Sequence, residues 1–212
     1  MHVAAARPEN LFRSAHHAFS SLATLVLLET LLNRETAMLA ALAFAAFAWT
    51  LEITRRRFPA WNAILMRHLG IIAHRHEHLS VNSATWMGTG LAIIAPFFAL
   101  PTLALALVTL GLGDPAAGFV GRRFGRHKLV NGRSVEGTLA YMVVSFLAGW
   151  AVLAFWHPGL GALAITAALV AAVVGAITEL FCRNIDDNLA VPVMVSVAVG
   201  LVLQGGASWA MR

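Results

Sequence analysis

The chain reads as an all-α integral membrane protein with about seven transmembrane helices. Three observations carry that reading. Of its 212 residues, 59% are hydrophobic and the mean hydropathy is +0.75, a profile foreign to soluble domains. Apolar runs recur along the chain, most of them near the roughly 20 residues that a spanning helix needs. Lysine and arginine then fall almost entirely on one side of the topology that those runs imply.

The first run, Ala15–Leu32, starts late and lacks a small-residue cleavage site, so it reads as a retained span rather than a signal peptide. Ala37–Ile53 follows after the tight connection Asn33-Arg34-Glu35-Thr36 and is closed by Arg55, Arg56 and Arg57. The segment Arg55–Leu79 mixes basic residues with Phe58, Trp61, Ile64, Leu65, Leu69 and Ile72, which suits a helix lying in the membrane interface. Val81–Leu100 is the third run. The fourth, Thr102–Val120, reaches spanning length only by continuing through Asp114, because Thr102–Leu112 alone is short. Thr138–Trp156, Leu160–Leu180 and Leu189–Met211 complete the set.

With seven spans, the N-terminus and the second, fourth and sixth connections share one side. Thirteen of the fifteen Lys and Arg residues lie there, and only Arg34 and Arg212 lie opposite. The positive-inside rule then places the N-terminus in the cytoplasm and the C-terminus outside. The expectation is one polytopic domain over 1–212, in a cell (inner) membrane, with cytoplasmic catalytic loops at about 54–80, 113–137 and 181–188. The net charge of +5 does not indicate a nucleic-acid partner, since the basic loops are short and sit where cytoplasmic loops are basic anyway. Cys182 is the single cysteine, so no internal disulfide forms.

The stretch Gly113–Gly137 (GDPAAGFVGRRFGRHKLVNGRSVEG) gathers two acids and five Lys or Arg residues into one connection between apolar segments. Asp114 stands in Gly111-Leu112-Gly113-Asp114-Pro115, where glycine and proline loosen a helix. It lies within the bilayer or at its edge, and an intramembrane carboxylate is a functional candidate by default. Gly118, Gly121 and Gly125 interleave with Arg122, Arg123, Arg126 and Lys128. Glycine permits close backbone approach, and the arginine fork matches phosphate oxygens. Flanked by Asp114 and by Arg133-Ser134-Val135-Glu136-Gly137, this cluster can hold nucleotide phosphates together with a divalent cation. Glu179 ends the sixth run and Asp186-Asp187-Asn188 opens the seventh. Acids there cap a helix, and on the same membrane face they can also complete a magnesium site.

His74, His76 and His78 do not form a zinc-protease motif, because Ser80 stands where the second ligand belongs. Glu77 and Asn82 are better candidates than these histidines. A P-loop is absent, and Gly111–Ala116 follows an apolar helix rather than a strand, which rules out a dinucleotide fingerprint.

The order Gly113-Asp114-x-x-Ala117, Gly121-Arg122-Arg123-Phe124-Gly125, Ser134-x-Glu136-Gly137 and Ile185-Asp186-Asp187-Asn188-Leu189-x-x-Pro192 resembles the family of CTP-dependent lipid kinases, which includes dolichol kinase, phytol kinase and the fungal-type diacylglycerol kinase. Glu9, Arg13 and His17 resemble the family's opening motif, and Glu77–Gly88 resembles a segment that precedes a span. Ser14, Ser83 and Arg133 depart from the usual Lys, Gly and Lys. The resemblance implies transfer of the γ-phosphoryl group of CTP, less readily ATP, to the hydroxyl of a polyprenol, a phytol-like alcohol or diacylglycerol. It implies Arg13, Gly121, Arg122, Arg123, Gly125, Arg126, Lys128, Arg133 and Ser134 around the triphosphate, with His17, Glu77 and Asn82 nearby. Asp114, Glu136 and Asp187 would be catalytic; Asp114, Glu179, Asp186, Asp187 and Asn188 would surround Mg2+. The alternatives are a CTP-dependent phosphatidate cytidylyltransferase, whose Pro-Gly-His-Gly-Gly run is missing here, and a non-catalytic transporter or lipid-binding protein.

Overall fold

The computed structural model describes residues 11–69, 81–182 and 185–210. Among them the α-helices are α1 (Leu11–Leu31), α2 (Arg34–Arg57), α3 (Pro59–Leu69), α4 (Ser83–Ile94), α5 (Leu100–Val108), α6 (Asp114–Phe124), α7 (Val135–Trp156), α8 (Ala162–Phe181) and α9 (Asp187–Ala210). A π-helical turn, Thr109–Gly113, joins α5 to α6 without a break.

Each apolar run falls on a helix. Among the described residues five helices are long and apolar enough to cross a membrane: Arg34–Arg57, Leu100–Phe124, Val135–Trp156, Ala162–Phe181 and Asp187–Gly205. The third run is shorter than expected. Pro96 has no N–H for an intrahelical bond, so α4 stops at Ile94 after 12 residues and the chain turns into α5, which carries Pro101 in its first turn. Helix α1 has 21 residues, but Ser14, His16, His17, Ser20, Ser21 and Thr24 dilute its apolar character. The interfacial segment does form a short helix, α3.

Leu100–Phe124 is the central strut. Thr102 to Val108 are buried on every side, as an all-round apolar helix in a protein interior must be. Helices α1, α7, α8 and α9 surround it. Helix α8 meets its neighbours through a face of small residues, Ala164, Ala167, Ala168, Ala171, Ala172 and Gly175, a spacing that lets helix backbones approach closely. Val191, Val195 and Val199 repeat every fourth residue along the buried face of α9.

Buried polar pairs hold the two ends of the bundle. At the charged end, Glu52 is 3% exposed. Its carboxylate pairs with Arg55 at 2.7 Å and accepts the backbone N–H of Asn82 at 2.9 Å, which ties α2 to the start of α4. At the other end Glu29 of α1 meets His157, beyond the end of α7, at 3.0 Å.

Candidate active site

The loop between α6 and α7 is fixed by glycines. Gly125 lies against the carbonyl of Gly121, and a Cβ added at Gly125 would stand 2.6 Å from Ser134 Oγ. A Cβ at Gly137 would meet the Ala117 carbonyl at 2.9 Å. Gly121 and Gly125 therefore seat α6 against Ser134 and Gly137. Gly118 leaves room for the folded guanidinium of Arg122, whose Nη1 would be 2.9 Å from a Cβ there. Ser134 is 3% exposed and caps α7, its Oγ accepting the N–H of Gly137 at 3.1 Å.

Between these anchors the backbone doubles back. Lys128 pairs with Ser134 as an antiparallel bridge, and the turn passes through Asn131 and Gly132 at φ 57° and 73°, the left-handed region that Asn and Gly tolerate best. Asn131 donates its side-chain N–H to the Leu180 carbonyl at 3.0 Å, so the loop is fastened to the end of α8. That fastening brings Arg133 inward. Its Nη1 lies 2.7 Å from Glu179 Oε1, and its Nη2 lies 3.5 Å from Asp187 Oδ2. One guanidinium fork thus joins the end of α8 to the start of α9.

The Asp-Asp-Asn turn is braced internally. Asn188 donates its side-chain amide to Asp186 Oδ1 at 2.7 Å and to Asp187 Oδ1 at 3.1 Å. Asp114 sits half-buried in the first turn of α6, directly after the π turn. Pro115 cannot donate to the preceding turn, and the helix widens there instead of breaking. Ser145 donates to the Thr109 carbonyl at 3.3 Å. Below Asp114, Tyr141 is fully buried, and its hydroxyl has no hydrogen-bond partner among the described residues.

Glu136 is turned to His127, 2.7 Å from its Nδ1, and accepts the His127 backbone N–H at 3.3 Å. Glu136 thereby braces the loop, and His127, which the sequence reading did not single out, is its partner. Arg122, Arg123, Arg126 and Lys128 stay exposed, with Arg123 stacked over Phe124 at 5.9 Å. Asn82 caps α4, its Oδ1 accepting the Ala84 N–H at 2.8 Å. His17 is half-buried within α1. Arg13 lies in α1, and Glu77 lies outside the described residues.

Among the described residues no three His, Cys, Asp or Glu side chains come together as a metal site. Glu179 and Asp187 instead face Arg133, and Asp186 and Asp187 share the amide of Asn188. Magnesium rarely needs a protein-only cage; it is held by one or two carboxylates together with substrate phosphates. The half-buried Asp114 and Asp187 fit that donor set.

The described residues form an all-α bundle with five helices long and apolar enough to cross a membrane, within which Arg133 joins the end of α8 to the start of α9. The chain is 25% identical to CTP-dependent diacylglycerol kinase 1 of Saccharomyces cerevisiae, over 73% of this chain and 60% of that protein. It is also 25% identical to CTP-dependent diacylglycerol kinase 1 of Eremothecium gossypii, over 72% of this chain and 54% of that one. The Schizosaccharomyces pombe protein of the same name is 23% identical, over 74% of this chain and 76% of its own length. The chain thus spans little more than half the length of the first two. No family model and no solved structure matches it. These relatives support the CTP-dependent lipid kinase family for this chain.

Proposed function

We propose that this chain transfers the γ-phosphoryl group of CTP to the hydroxyl of a membrane lipid alcohol, with diacylglycerol as the first acceptor to test. The observation that carries this reading is Arg133, whose fork joins Glu179 and Asp187 at the same end of the bundle as Asp114 and the exposed basic patch. The relatives' names favour CTP and diacylglycerol; polyprenol and phytol-like alcohols carry the same hydroxyl chemistry.

The exposed Arg122, Arg123, Arg126 and Lys128 receive the triphosphate and neutralise the charge that develops on it. Asp114, on the bilayer side, accepts the proton of the lipid hydroxyl as its oxygen bonds to the γ-phosphorus. The bond to the β-γ bridging oxygen breaks, and CDP leaves. Asp114 and Asp187 would hold Mg2+ together with the phosphates, and the ion would supply charge neutralisation. Arg133 holds Asp187 and Glu179 in place. In the bilayer, seven helices cross or enter the membrane with the N-terminus and the charged end cytoplasmic. A reporter fused after Arg212 should read as external.

The test is transfer of label from γ-labelled CTP and ATP to diacylglycerol, polyprenol and phytol by the purified chain with Mg2+. Label in a lipid product, with CTP preferred, is the expected result. Pyrophosphate release from CTP with phosphatidate, and no labelled lipid, would overturn it in favour of cytidylyl transfer.

A further inference from the structure

Tyr141 is the only tyrosine in a chain that holds 12 phenylalanines, and it is 0% exposed. Its hydroxyl has no hydrogen-bond partner among the described residues. A buried hydroxyl without a partner costs stability, and a phenyl ring of the same shape carries no such cost. Packing alone therefore favours Phe at this position. The hydroxyl does not serve the π turn either, because the Thr109 carbonyl is met by Ser145, at 3.3 Å. A polar group kept in the interior at a cost to stability calls for a functional explanation.

The ring is clamped beside the candidate site. A Cβ added at Gly113 would stand 2.9 Å from Tyr141 Cζ, and one added at Gly175 would stand 2.9 Å from Tyr141 Oη. The carbon that bears the hydroxyl thus lies against the residue before Asp114. The hydroxyl itself lies against the residue one helical turn before Glu179, on the same face of α8. Of these two carboxylates, Asp114 acts more strongly on the phenol, and Glu179 is already paired with Arg133 at 2.7 Å. With no room to shift at either glycine, Tyr141 is a fixed donor. Asp114 is half-buried in the first turn of α6, directly after a π turn of the kind frequent at functional sites, and its short side chain can rotate toward that donor. Catalytic hydrogen bonds often tighten only when substrate is bound.

We propose that Tyr141 is a positioning residue for phosphoryl transfer: when CTP and Mg2+ bind, its hydroxyl donates to the Asp114 carboxylate and fixes the orientation of that group toward the lipid hydroxyl. This role rests on the lipid-kinase reading above. A carboxylate offers about four lone-pair sites, so one bond from Tyr141 leaves capacity for the ion and for the proton of the lipid hydroxyl. Tyr141 itself transfers no proton and acts only through Asp114.

Tyr141→Phe keeps the ring and removes the hydroxyl. The purified full-length variant should melt at or above the wild-type temperature. With γ-labelled CTP and dioleoylglycerol its kcat should fall at least about tenfold, the low end for a partner that orients a ligating group, while KM for CTP stays unchanged. In an Asp114→Ala background the same substitution should add no further loss. Ser196→Ala removes another buried hydroxyl without a partner among the described residues, nine residues beyond Asp187 on α9, and should leave kcat as it is. Because Tyr141 is the only tyrosine, 3-fluorotyrosine labels it alone, and its 19F resonance reports on the phenol without turnover. CTP with Mg2+ should move that resonance, and should not move it in Asp114→Ala saturated with CTP. A folded Tyr141→Phe with wild-type kcat, or one that melts well below the wild type, would overturn the proposal. So would a resonance that CTP and Mg2+ leave in place while lipid is phosphorylated, a result that keeps the kinase reading. A resonance that moves in a chain that phosphorylates no lipid would keep the contact of Tyr141 with Asp114 and sink the kinase reading.

Discussion

Arg133 lies 2.7 Å from Glu179, and Glu179 is 2% exposed although it stands at the end of an apolar helix. The pair joins a surface loop to the bundle interior across 46 residues of sequence. Removing Arg133 takes a cation away from a buried carboxylate, which costs about 3 kcal/mol, the lower end for broken buried pairs because Arg133 retains some solvent contact. Arg133→Ala should therefore lower the thermal midpoint in detergent. Adding Glu179→Gln to Arg133→Ala should recover most of that loss. If the single variant melts like the wild type, the pair is not what fixes the loop.

Gly125 predicts a contrast. Its missing side chain allows contact with the Gly121 carbonyl and Ser134, so Gly125→Ala must shift α6 against α7. A loss of about 1–3 kcal/mol is expected, as for other overpacked interiors. Gly159 has nothing within 4 Å of an added Cβ, and Gly159→Ala should be neutral. Paired thermal melts measure the difference directly.

Cys182 offers a titration beside the site. Burial pushes its thiol pKa above the ordinary value, and the nearby charge of Asp187 pushes it further. A raised pKa leaves less thiolate at neutral pH, so iodoacetamide should react slowly at pH 7 and speed up only above the range of a free cysteine, about 8.5. Asp187→Asn removes one of the causes and should move the alkylation profile toward lower pH. An unchanged profile would show that Asp187 does not bear its charge on Cys182.

Much of the bundle was legible because apolar runs and glycine-proline punctuation act locally. The continuation of the fourth run through Asp114 follows from length alone, and Leu100–Phe124 is indeed one helix. The turn between Pro96 and Pro101 was readable from the two prolines, and α4 stops just before it at Ile94. At the site, the residue types were readable and their partners were not. Nothing local tells that Arg133 reaches across to Glu179 and Asp187, a contact that exists only once α8 and α9 are packed, or that Glu136 turns to His127, which needs the loop to fold back on the start of α7. The glycines of the Gly121–Gly125 block were read for their freedom to approach phosphate, whereas their neighbours are protein atoms. His127 carried one signal in the sequence, its place among the basic residues nine positions before Glu136.

The central claim is that the charged end of this bundle performs phosphoryl transfer. Its most direct test is the rate of label transfer from γ-labelled CTP to diacylglycerol by Asp114→Asn and Asp187→Asn, each checked for wild-type melting and elution. Loss of a group that positions or stabilises charge in such a transition state costs about 10²–10³ in kcat, so each variant should fall at least 100-fold while remaining folded. Near-normal turnover in both folded variants would contradict the account.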